Sequence, residues 1–417
     1  MLSARLSKDL VEFLISCQVR VTVLCPRPSR PLGVNYSYEA IANDRGESNN
    51  PNLRVVSLPS YCSPRSRLFL RVWESISFGN AVCRYLREDS AGVGVVYANT
   101  WPLGSQALLA RCCSAHGIPL VLHVQDLYPE SLLLRLPRIF RFFLWGSLLA
   151  LDSWIARRAS KVILISSRSA MYYSASRRIP REKFVSIENW VDERMYEQLP
   201  KRSAACDYYG IEEGRRTFMF LGNLGPLAEV DRIIRAFSVA RPENSQLVIA
   251  GDGVRKGEYH ILAQRLEVPN VYFISDAKVE NTPRLLAMAD VCLLPLKRGA
   301  GLGSVPSKLL SYLFSGKPVL ATIDQDSDTA GFIKEAGCGW IGSPDDEVWL
   351  AQTIRTLAGL DQGELTRLGA AGRSFGLARF SRAAGVPKLA AVILAELPTH
   401  RGDLSGSMEG RKSTGLR

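Results

Sequence analysis

The stretch TFMFLGNLGPLAEVDRIIRAFSVA, residues 217–240, shows the unit from which most of the chain is built. Residues 217–221 form a continuous apolar run, which is typical of a parallel strand buried on both faces. A turn with two glycines follows, and residues 231–240 then repeat apolar side chains with a helical period. A strand, a glycine turn and a helix in this order predict a doubly wound α/β domain.

The same pattern recurs along the chain. Apolar runs predict ten strands, at residues 19–24, 93–98, 119–124, 161–166, 184–187, 217–221, 246–250, 271–274, 291–295 and 318–322. Helical patterns lie between them, for example at residues 4–16, 231–240, 282–289 and 307–315. This alternation predicts an α/β protein of two doubly wound domains with parallel sheets that face a cleft.

Domain limits follow from where the strand pattern stops. Residues 1–200 are the predicted first domain, and residues 215–375 are the second. Residues 376–399 are predicted to hold a helix that packs back on the first domain, and the polar, Gly/Ser-rich residues 400–417 to be disordered. A doubly wound domain normally opens with a strand and a glycine-rich turn, whereas this chain opens inside a helix. The first strand of the first domain is therefore predicted to be missing.

Composition narrows the class of protein. The 417 residues are 47% hydrophobic and 22% charged, which is the balance of a soluble globular chain, and the formal charge of +12 allows anionic partners. Nine cysteines without a Cys-x-x-Cys pair argue against a disulfide framework or a zinc site and suggest a reducing cytoplasm. We find no signal peptide and no apolar run near the roughly 20 residues that span a bilayer.

The segment VPSKLLSYLFSGKPVLA, residues 305–321, carries a candidate phosphate site at the start of a helix. Pro306 sets the entry of the chain, Ser307 is the predicted helix cap, and Lys308 adds a cation in the first turn. A lysine there opposes the helix dipole, whereas an anion would be favoured by it. An ordinary capped helix with a solvated lysine is the alternative. The glycine-rich residues 299–303 favour a ligand, because glycines let a backbone approach one closely.

Two further glycine turns follow strands of the second domain, at residues 222–225 and 251–253. Taken singly each is most simply a tight turn, but three such loops at strand ends of one domain indicate a shared ligand. The predicted donor-binding residues are Gly222, Asn223, Gly225, Gly251, Asp252, Gly253, Gly303, Ser304, Val305, Pro306, Ser307 and Lys308.

In the first domain the predicted catalytic residues are His123, Asp126 and Glu130, which lie at the end of the strand at residues 119–124. Loops at that edge of a sheet are the usual place for ligands. The alternative is a capping aspartate next to a histidine satisfied in the core.

Residues 135–183 hold eleven basic residues and two acidic ones, interleaved with the apolar sequence IFRFFLWGSLLALDSWIARR. Arg and Trp beside an apolar face indicate a surface that touches a membrane, and a buried amphipathic helix is an equal alternative. Nucleic acid is not predicted as a partner, because no recognised module accompanies the charge.

Several of these motifs together resemble the family-4 retaining glycosyltransferases. They are residues 305–321, Gly222-Asn223-Leu224-Gly225, Asn270-Val271-Tyr272-Phe273, Ala289-Asp290-Val291, Ala336-Gly337-Cys338-Gly339, residues 125–131 and Asn189-Trp190. Within that family the chain resembles the bacterial colanic-acid and O-antigen enzymes that transfer fucose or N-acetylfucosamine.

The resemblance implies a GT-B fold and a retaining, metal-independent glycosyl transfer in cell-surface polysaccharide biosynthesis. The donor would be a GDP- or UDP-linked sugar, used as co-substrate without a cofactor, and the acceptor would be lipid-linked or a polysaccharide. The protein would lie at the cytoplasmic face of the inner membrane. Asn223, Ala228, Gly303 and Ser311 depart from the Arg, Lys and Glu that many relatives carry. These departures leave open a second hypothesis, a catalytically silent GT-B protein that serves another transferase.

Overall fold

The computed structural model describes residues 2–26, 50–61, 68–89, 92–99, 103–125, 127, 129–130, 138–299 and 305–398. The strands in this part of the chain are β1 (Val21–Pro26), β2 (Leu53–Leu58), β3 (Val96–Asn99), β4 (Leu120–Val124), β5 (Lys161–Leu164), β6 (Phe184–Ser186), β7 (Arg216–Leu221), β8 (Ser245–Ala250), β9 (Val271–Ile274), β10 (Val291–Pro295), β11 (Val319–Thr322) and β12 (Gly339–Gly342).

Helices connect most of these strands. They are α1 (Leu2–Ser16), α2 (Leu68–Glu88), α3 (Leu103–Ala115), α4 (Arg138–Arg158), α5 (Ser167–Arg177), α6 (Arg202–Tyr209), α7 (Val230–Ala240), α8 (Lys256–Arg265), α9 (Thr282–Met288), α10 (Ser307–Phe314), α11 (Asp328–Ala336), α12 (Glu347–Ala358), α13 (Gln362–Phe380) and α14 (Arg382–Leu394). Short 3₁₀ turns lie at Arg181–Lys183, Glu193–Tyr196 and Val279–Asn281.

All ten predicted strands are present, and their ends differ from the predicted ones by no more than three residues. The strands β2 and β12 were not predicted. In β12, a Cβ on Gly339 would lie 1.9 Å from the Val319 carbonyl oxygen, so a glycine is needed where β12 meets β11. Two glycines in four residues hide this strand from a search for apolar runs.

The chain forms two compact units. The first contains the described residues up to Leu164, together with Met171–Val185 and those from Lys388 onward, and the second contains Ile165–Ala170 and Ser186–Pro387. In the first unit, β3, β4 and β5 pair in parallel with β6 beside β5, while β1 and β2 form a separate parallel pair. Among the described residues α1 comes before any strand.

The limits of the second unit differ from the predicted boundary near residue 200. Residues after β6 pack with α13 and the start of α14, since Arg379 binds Glu188 at 2.9 Å and Glu193 accepts the Arg382 N–H at 2.7 Å. The predicted tail, residues 400–417, lies outside the described residues.

The second unit contains one parallel sheet of six strands in the order β12-β11-β10-β7-β8-β9. Alternate residues of β7 face opposite layers, with Phe218 and Phe220 in one apolar cluster and Met219 and Leu221 in the other. The chain winds outward from β7 in one direction and from β10 in the other. The topological switch point therefore lies between β7 and β10, and ligands of doubly wound sheets bind at the carboxyl ends of strands at such a point.

Candidate functional site

The loops at the switch point of the second unit bring the predicted glycine turns into direct contact. A Cβ on Gly251 would lie 1.9 Å from the carbonyl oxygen of Gly222, and one on Gly253 would lie 2.6 Å from the Leu224 carbonyl oxygen. The φ angles of Gly222, Gly251 and Gly253 are 147°, 155° and 157°. The Leu224 N–H also donates to the Asp252 carbonyl at 2.9 Å. Only glycine fits at these positions, so the two turns form one packed surface.

Lys308 places its ammonium group beside this surface. A Cβ on Gly222 would lie 3.2 Å from the Lys308 Nζ, and the same nitrogen lies 4.3 Å from the centre of the Phe220 ring. No carboxylate among the described residues lies within 4 Å of this half-buried ammonium. Burial lowers the pKa of Lys308 to about 8, because the charged form loses hydration without gaining a counterion. An unpaired cation held in this way is suited to an anionic ligand.

The start of α10 adds backbone donors to the same place. Pro306 is the N-cap residue and makes no side-chain cap, while Ser307 is the first helical residue and is exposed. The prediction of Ser307 as the cap is therefore wrong, because the helix begins one residue earlier than a serine cap requires. The first N–H groups of a helix have no partner within it, and the helix dipole favours an anion there. Gly303 and Ser304, also predicted to bind the donor, lie outside the described residues.

Tyr312 fixes α10 against the switch point, and it is not among the residues predicted from the sequence. Its buried hydroxyl accepts the Leu221 N–H, at the end of β7, at 3.1 Å and donates to the Leu293 carbonyl, in the middle of β10, at 3.2 Å. Tyr312 lies one helical turn after Lys308, so this anchor also sets the position of the lysine. A tyrosine among the leucines of an apolar helix was the only available signal.

Removing the Tyr312 hydroxyl is expected to destabilise the second unit. In Tyr312→Phe the Leu221 N–H would remain buried without a partner, which costs about 1–3 kcal/mol. Urea denaturation would measure the loss, with Tyr208→Phe as the control because Tyr208 is exposed. Equal stability of both variants would contradict the anchoring role.

The remaining predicted donor residues lie around this surface in different environments. Asn223 is exposed, Gly225 is buried, and Val305 is half-buried directly before Pro306. The Asp252 carboxylate is 79% exposed and 3.9 Å from Lys256, so it has no strong partner. The Ser311 hydroxyl accepts a hydrogen bond from Tyr196 at 3.0 Å. The structure thus brings the glycine turns and Lys308 together and leaves Asn223 and Asp252 at the rim.

His123 lies in β4 in the interior of the first unit, with 1% of its surface exposed. Its Nδ1 lies 2.7 Å from the Tyr97 hydroxyl, and its Nε2 lies 3.0 Å from the Gln125 amide nitrogen. Burial lowers the pKa of His123 to about 4, so the imidazole is neutral at physiological pH. These contacts match the alternative, a core histidine whose two ring nitrogens both have hydrogen-bond partners. The catalytic role of His123 stays a prediction.

Glu130 belongs to a buried ion-pair cluster. Arg177, whose side chain is fully buried, donates to the two Glu130 oxygens at 2.5 and 2.8 Å and to Asp152 at 2.8 Å. Burial opposes ionisation of Glu130, but the hydrogen bonds from Arg177 outweigh it and lower the pKa of that carboxyl. This pairing favours a structural role for Glu130 over the predicted catalytic one. Asp126 lies outside the described residues.

The basic residues of the predicted membrane surface lie in different environments in the structure. Arg177 is buried, and three others bind backbone carbonyls at helix ends or nearby: Arg157 to Arg177, Lys161 to Glu182, and Lys183 to Arg157. Cations at helix C-termini are favoured by the helix dipole. Part of the positive charge therefore has a structural use at the C-terminal end of α4.

Two family models match the chain, one after the other. Residues 4–190 match the glycosyl transferase 4-like domain, and residues 206–375 match the glycosyl transferases group 1. The chain belongs to the family-4 glycosyltransferases. Both models fall on parallel α/β units, and the second includes the glycine turns and Lys308.

Two curated relatives and one solved structure agree with this assignment. The glycosyltransferase is 28% identical to the probable glycosyltransferase WbjE of Pseudomonas aeruginosa, over 67% of this chain and 69% of that protein. It is 25% identical to the putative colanic acid biosynthesis glycosyl transferase WcaI of Escherichia coli, over 38% and 39% of the two chains. The crystal structure of Anabaena HepE in complex with UDP covers 90% of this chain and 99% of that one, with 16% identity and a TM-score of 0.65. This likeness confirms the predicted GT-B fold.

Proposed function

We propose that this glycosyltransferase takes its sugar from a nucleoside diphosphate sugar whose diphosphate binds between the glycine turns and α10. The observation that carries the proposal is the Lys308 ammonium, which is half-buried, unpaired among the described residues and next to both a helix start and Gly222. A diphosphate supplies the negative charge that this arrangement lacks. Anabaena HepE, which shares the fold, was solved with UDP and with UDP-glucose.

The reaction requires the bond from the sugar anomeric carbon to the diphosphate oxygen to break. A bond from the acceptor hydroxyl oxygen to that carbon forms, and the hydroxyl proton passes to the departing diphosphate. We propose that the new bond forms on the face that the diphosphate leaves, so that the configuration is retained. Negative charge accumulates on the diphosphate as it departs, so Lys308 and the first N–H groups of α10 stabilise the transition state without a metal ion.

The chemical class of the acceptor is proposed from the relatives. WcaI is named for colanic acid biosynthesis, which supports a lipid-linked or growing cell-surface polysaccharide as acceptor, held by the first unit. We further propose that the donor nucleotide is GDP or UDP and that the transferred sugar is fucose or N-acetylfucosamine. The protein would act at the cytoplasmic face of the inner membrane.

Replacing Lys308 by methionine is the experiment that tests the donor site. We expect UDP and GDP binding to weaken roughly 10- to 100-fold, because a charge-assisted contact with the diphosphate is lost. We also expect the free protein to gain about 1 kcal/mol of stability near pH 7, because a desolvated and unpaired cation is removed. Calorimetry and urea denaturation would measure the two effects, with Lys334→Met as an exposed-lysine control.

The pH dependence of nucleotide binding tests the same role of Lys308. The Lys308 ammonium loses its proton as the pH rises through about 8, so nucleotide affinity of the unchanged protein should decline above that pH. Lys308→Met should lack this decline. If Lys308→Met binds nucleotide normally, the donor site is elsewhere. If the unchanged protein binds nucleotide and releases no nucleoside diphosphate from any nucleotide sugar, it is the silent partner of the second hypothesis.

A further inference from the structure

The N-terminal part of α4 exposes a series of large apolar side chains. Phe142 is 82% exposed, Phe143 is 70% exposed, and Leu144 and Trp145 are also exposed. Residues 142–147 are six consecutive helical positions that all face solvent. The two phenylalanine rings contact each other at 5.6 Å. A helix of a soluble domain normally buries one side, so this segment lacks the packing that its sequence requires.

The length of α4 explains the exposure. Only two residues separate its last residue, Arg158, from the first residue of β5, Lys161, so the helix ends near the amino edge of the sheet. Its 21 residues extend about 30 Å, whereas the four or five residues of β4 and β5 extend about 13–16 Å. The first turns of α4 therefore extend beyond the carboxyl edge of this sheet.

A second helix of the same unit has the same feature. In the first turns of α2, Phe69 is 87% exposed and Trp73 is 59% exposed, with Val72 also exposed. Contacts between Ser75 and Ser105, and between Cys83 and Cys112, show that α2 and α3 run in parallel. Because α3 starts just after β3, the first turns of α2 also lie at the carboxyl edge. We call the exposed apolar residues of these two helices, Phe69, Val72 and Trp73 of α2 and residues 142–145 of α4, the apolar ends.

The shape of the apolar ends favours lipid over a protein groove. Four consecutive apolar residues cover the whole circumference of α4, whereas a groove receives a single stripe of a helix. Residues 142–146 rise about 7 Å, within the 5–10 Å that interfacial helices bury in a bilayer. Trp73 and Trp145 are of the type that settles at the headgroup level. No described helix is long and apolar enough to cross a bilayer.

We propose that the apolar ends of α2 and α4 insert into an anionic bilayer. The loop that follows β4, which the sequence analysis predicts to be catalytic, starts from the same carboxyl edge. Insertion would bring this edge to the headgroups, where a lipid-linked acceptor presents its sugar; this step rests on the proposed function. The docking element is thus the apolar N-terminal end of α4 and not the basic C-terminal end, where Arg157 and Lys183 bind backbone carbonyls.

Vesicle binding by the full chain tests this proposal. The protein is sedimented with vesicles of phosphatidylethanolamine and phosphatidylglycerol, and the partition coefficient is compared between variants. Phe142→Ser/Phe143→Ser should lower it at least tenfold, because two aromatic side chains no longer enter the acyl region. Val239→Ser/Ile261→Ser removes two equally exposed apolar residues of the second unit and should change it less than twofold. Arg158→Gln/Arg178→Gln should lower it less than threefold.

The controls separate this proposal from the donor site. Nucleotide binding by Phe142→Ser/Phe143→Ser should equal that of the unchanged protein, so a failure of vesicle binding does not implicate the donor site. The proposal is overturned if the unchanged protein does not bind vesicles, if the phenylalanine variant binds them normally, or if only the arginine variant loses binding. It is also overturned if light scattering shows a dimer that the phenylalanine substitutions dissociate without any vesicle binding, since the apolar ends would then contact a second copy.

Discussion

Replacing Arg177 by methionine is expected to destabilise the first unit by about 3–5 kcal/mol, because the buried Asp152 carboxylate and the half-buried Glu130 carboxylate lose the cation that they share. Arg177 is fully buried between Glu130 and Asp152, and the Asp152 side chain is only 5% exposed. Methionine has a similar volume but no charge, so the change isolates the electrostatic part of the contact. Urea denaturation at pH 7 measures the loss of stability.

The pH dependence of this loss has a definite sign. In the unchanged protein Arg177 keeps the pKa of Glu130 low, so its stabilising effect is lost only as the pH falls through that depressed value. In Arg177→Met the cation is gone, so burial raises the pKa of Glu130 and raises further the pKa of Asp152, which burial already holds above its ordinary value in the unchanged protein. Protonation then relieves the penalty, and the difference between the two proteins should shrink as the pH falls from neutral toward about 5.

Two further variants complete the test. Arg178→Met changes the neighbouring exposed arginine and should alter stability by less than about 0.5 kcal/mol. The triple variant Glu130→Gln/Asp152→Asn/Arg177→Met should recover part of the loss, because no unpaired charge remains. A stable Arg177→Met protein that lacks transferase activity would instead support the predicted catalytic role of Glu130.

A methyl group at position 251 is expected to disrupt the proposed donor site and to cost at least 3 kcal/mol of stability. In Gly251→Ala the new Cβ would lie 1.9 Å from the Gly222 carbonyl oxygen, and backbone cannot move aside as the end of a side chain can. The φ of 155° is also unfavourable for alanine. We expect a lower melting temperature and loss of measurable UDP and GDP binding.

Gly257→Ala is the matched control. Gly257 lies in the first turn of α8, and a Cβ there would meet no atom within 4 Å. Alanine favours the helix, so this variant should be as stable as the unchanged protein or slightly more stable. If Gly251→Ala also melts normally, the two turns do not touch as described here.

Most of the fold follows from the sequence, because parallel strands buried on both faces leave continuous apolar runs. Strands such as β8 and β10, buried at every position, were located almost to the residue. The strand β2 (LRVVSL) mixes Arg54 and Ser57 with its apolar residues, and none of its first five residues is fully buried. The polar residues within β2 hide it from a search for apolar runs, since β1 is no more buried than β2 and was predicted.

Only part of the candidate site could be predicted from the sequence. The glycine turns and Lys308 were identified because turn residues and helix starts have local signatures. Tyr312 and Arg177 were missed because their roles depend on partners distant in the sequence, such as Leu221 for the first and Glu130 and Asp152 for the second. Arg177 was counted in a basic surface, since sequence gives its charge but not its burial.

The contact between the turns at Gly222 and Gly251 limits how the proposed donor site of this glycosyltransferase can be redesigned. The turn at residues 222–225 occupies the space that a side chain at residue 251 or 253 would need, although about thirty residues separate the two turns in the chain. Random mutagenesis at one turn would mostly yield misfolded clones. An engineer who wants a different nucleotide sugar would have to transplant both turns together from a single parent.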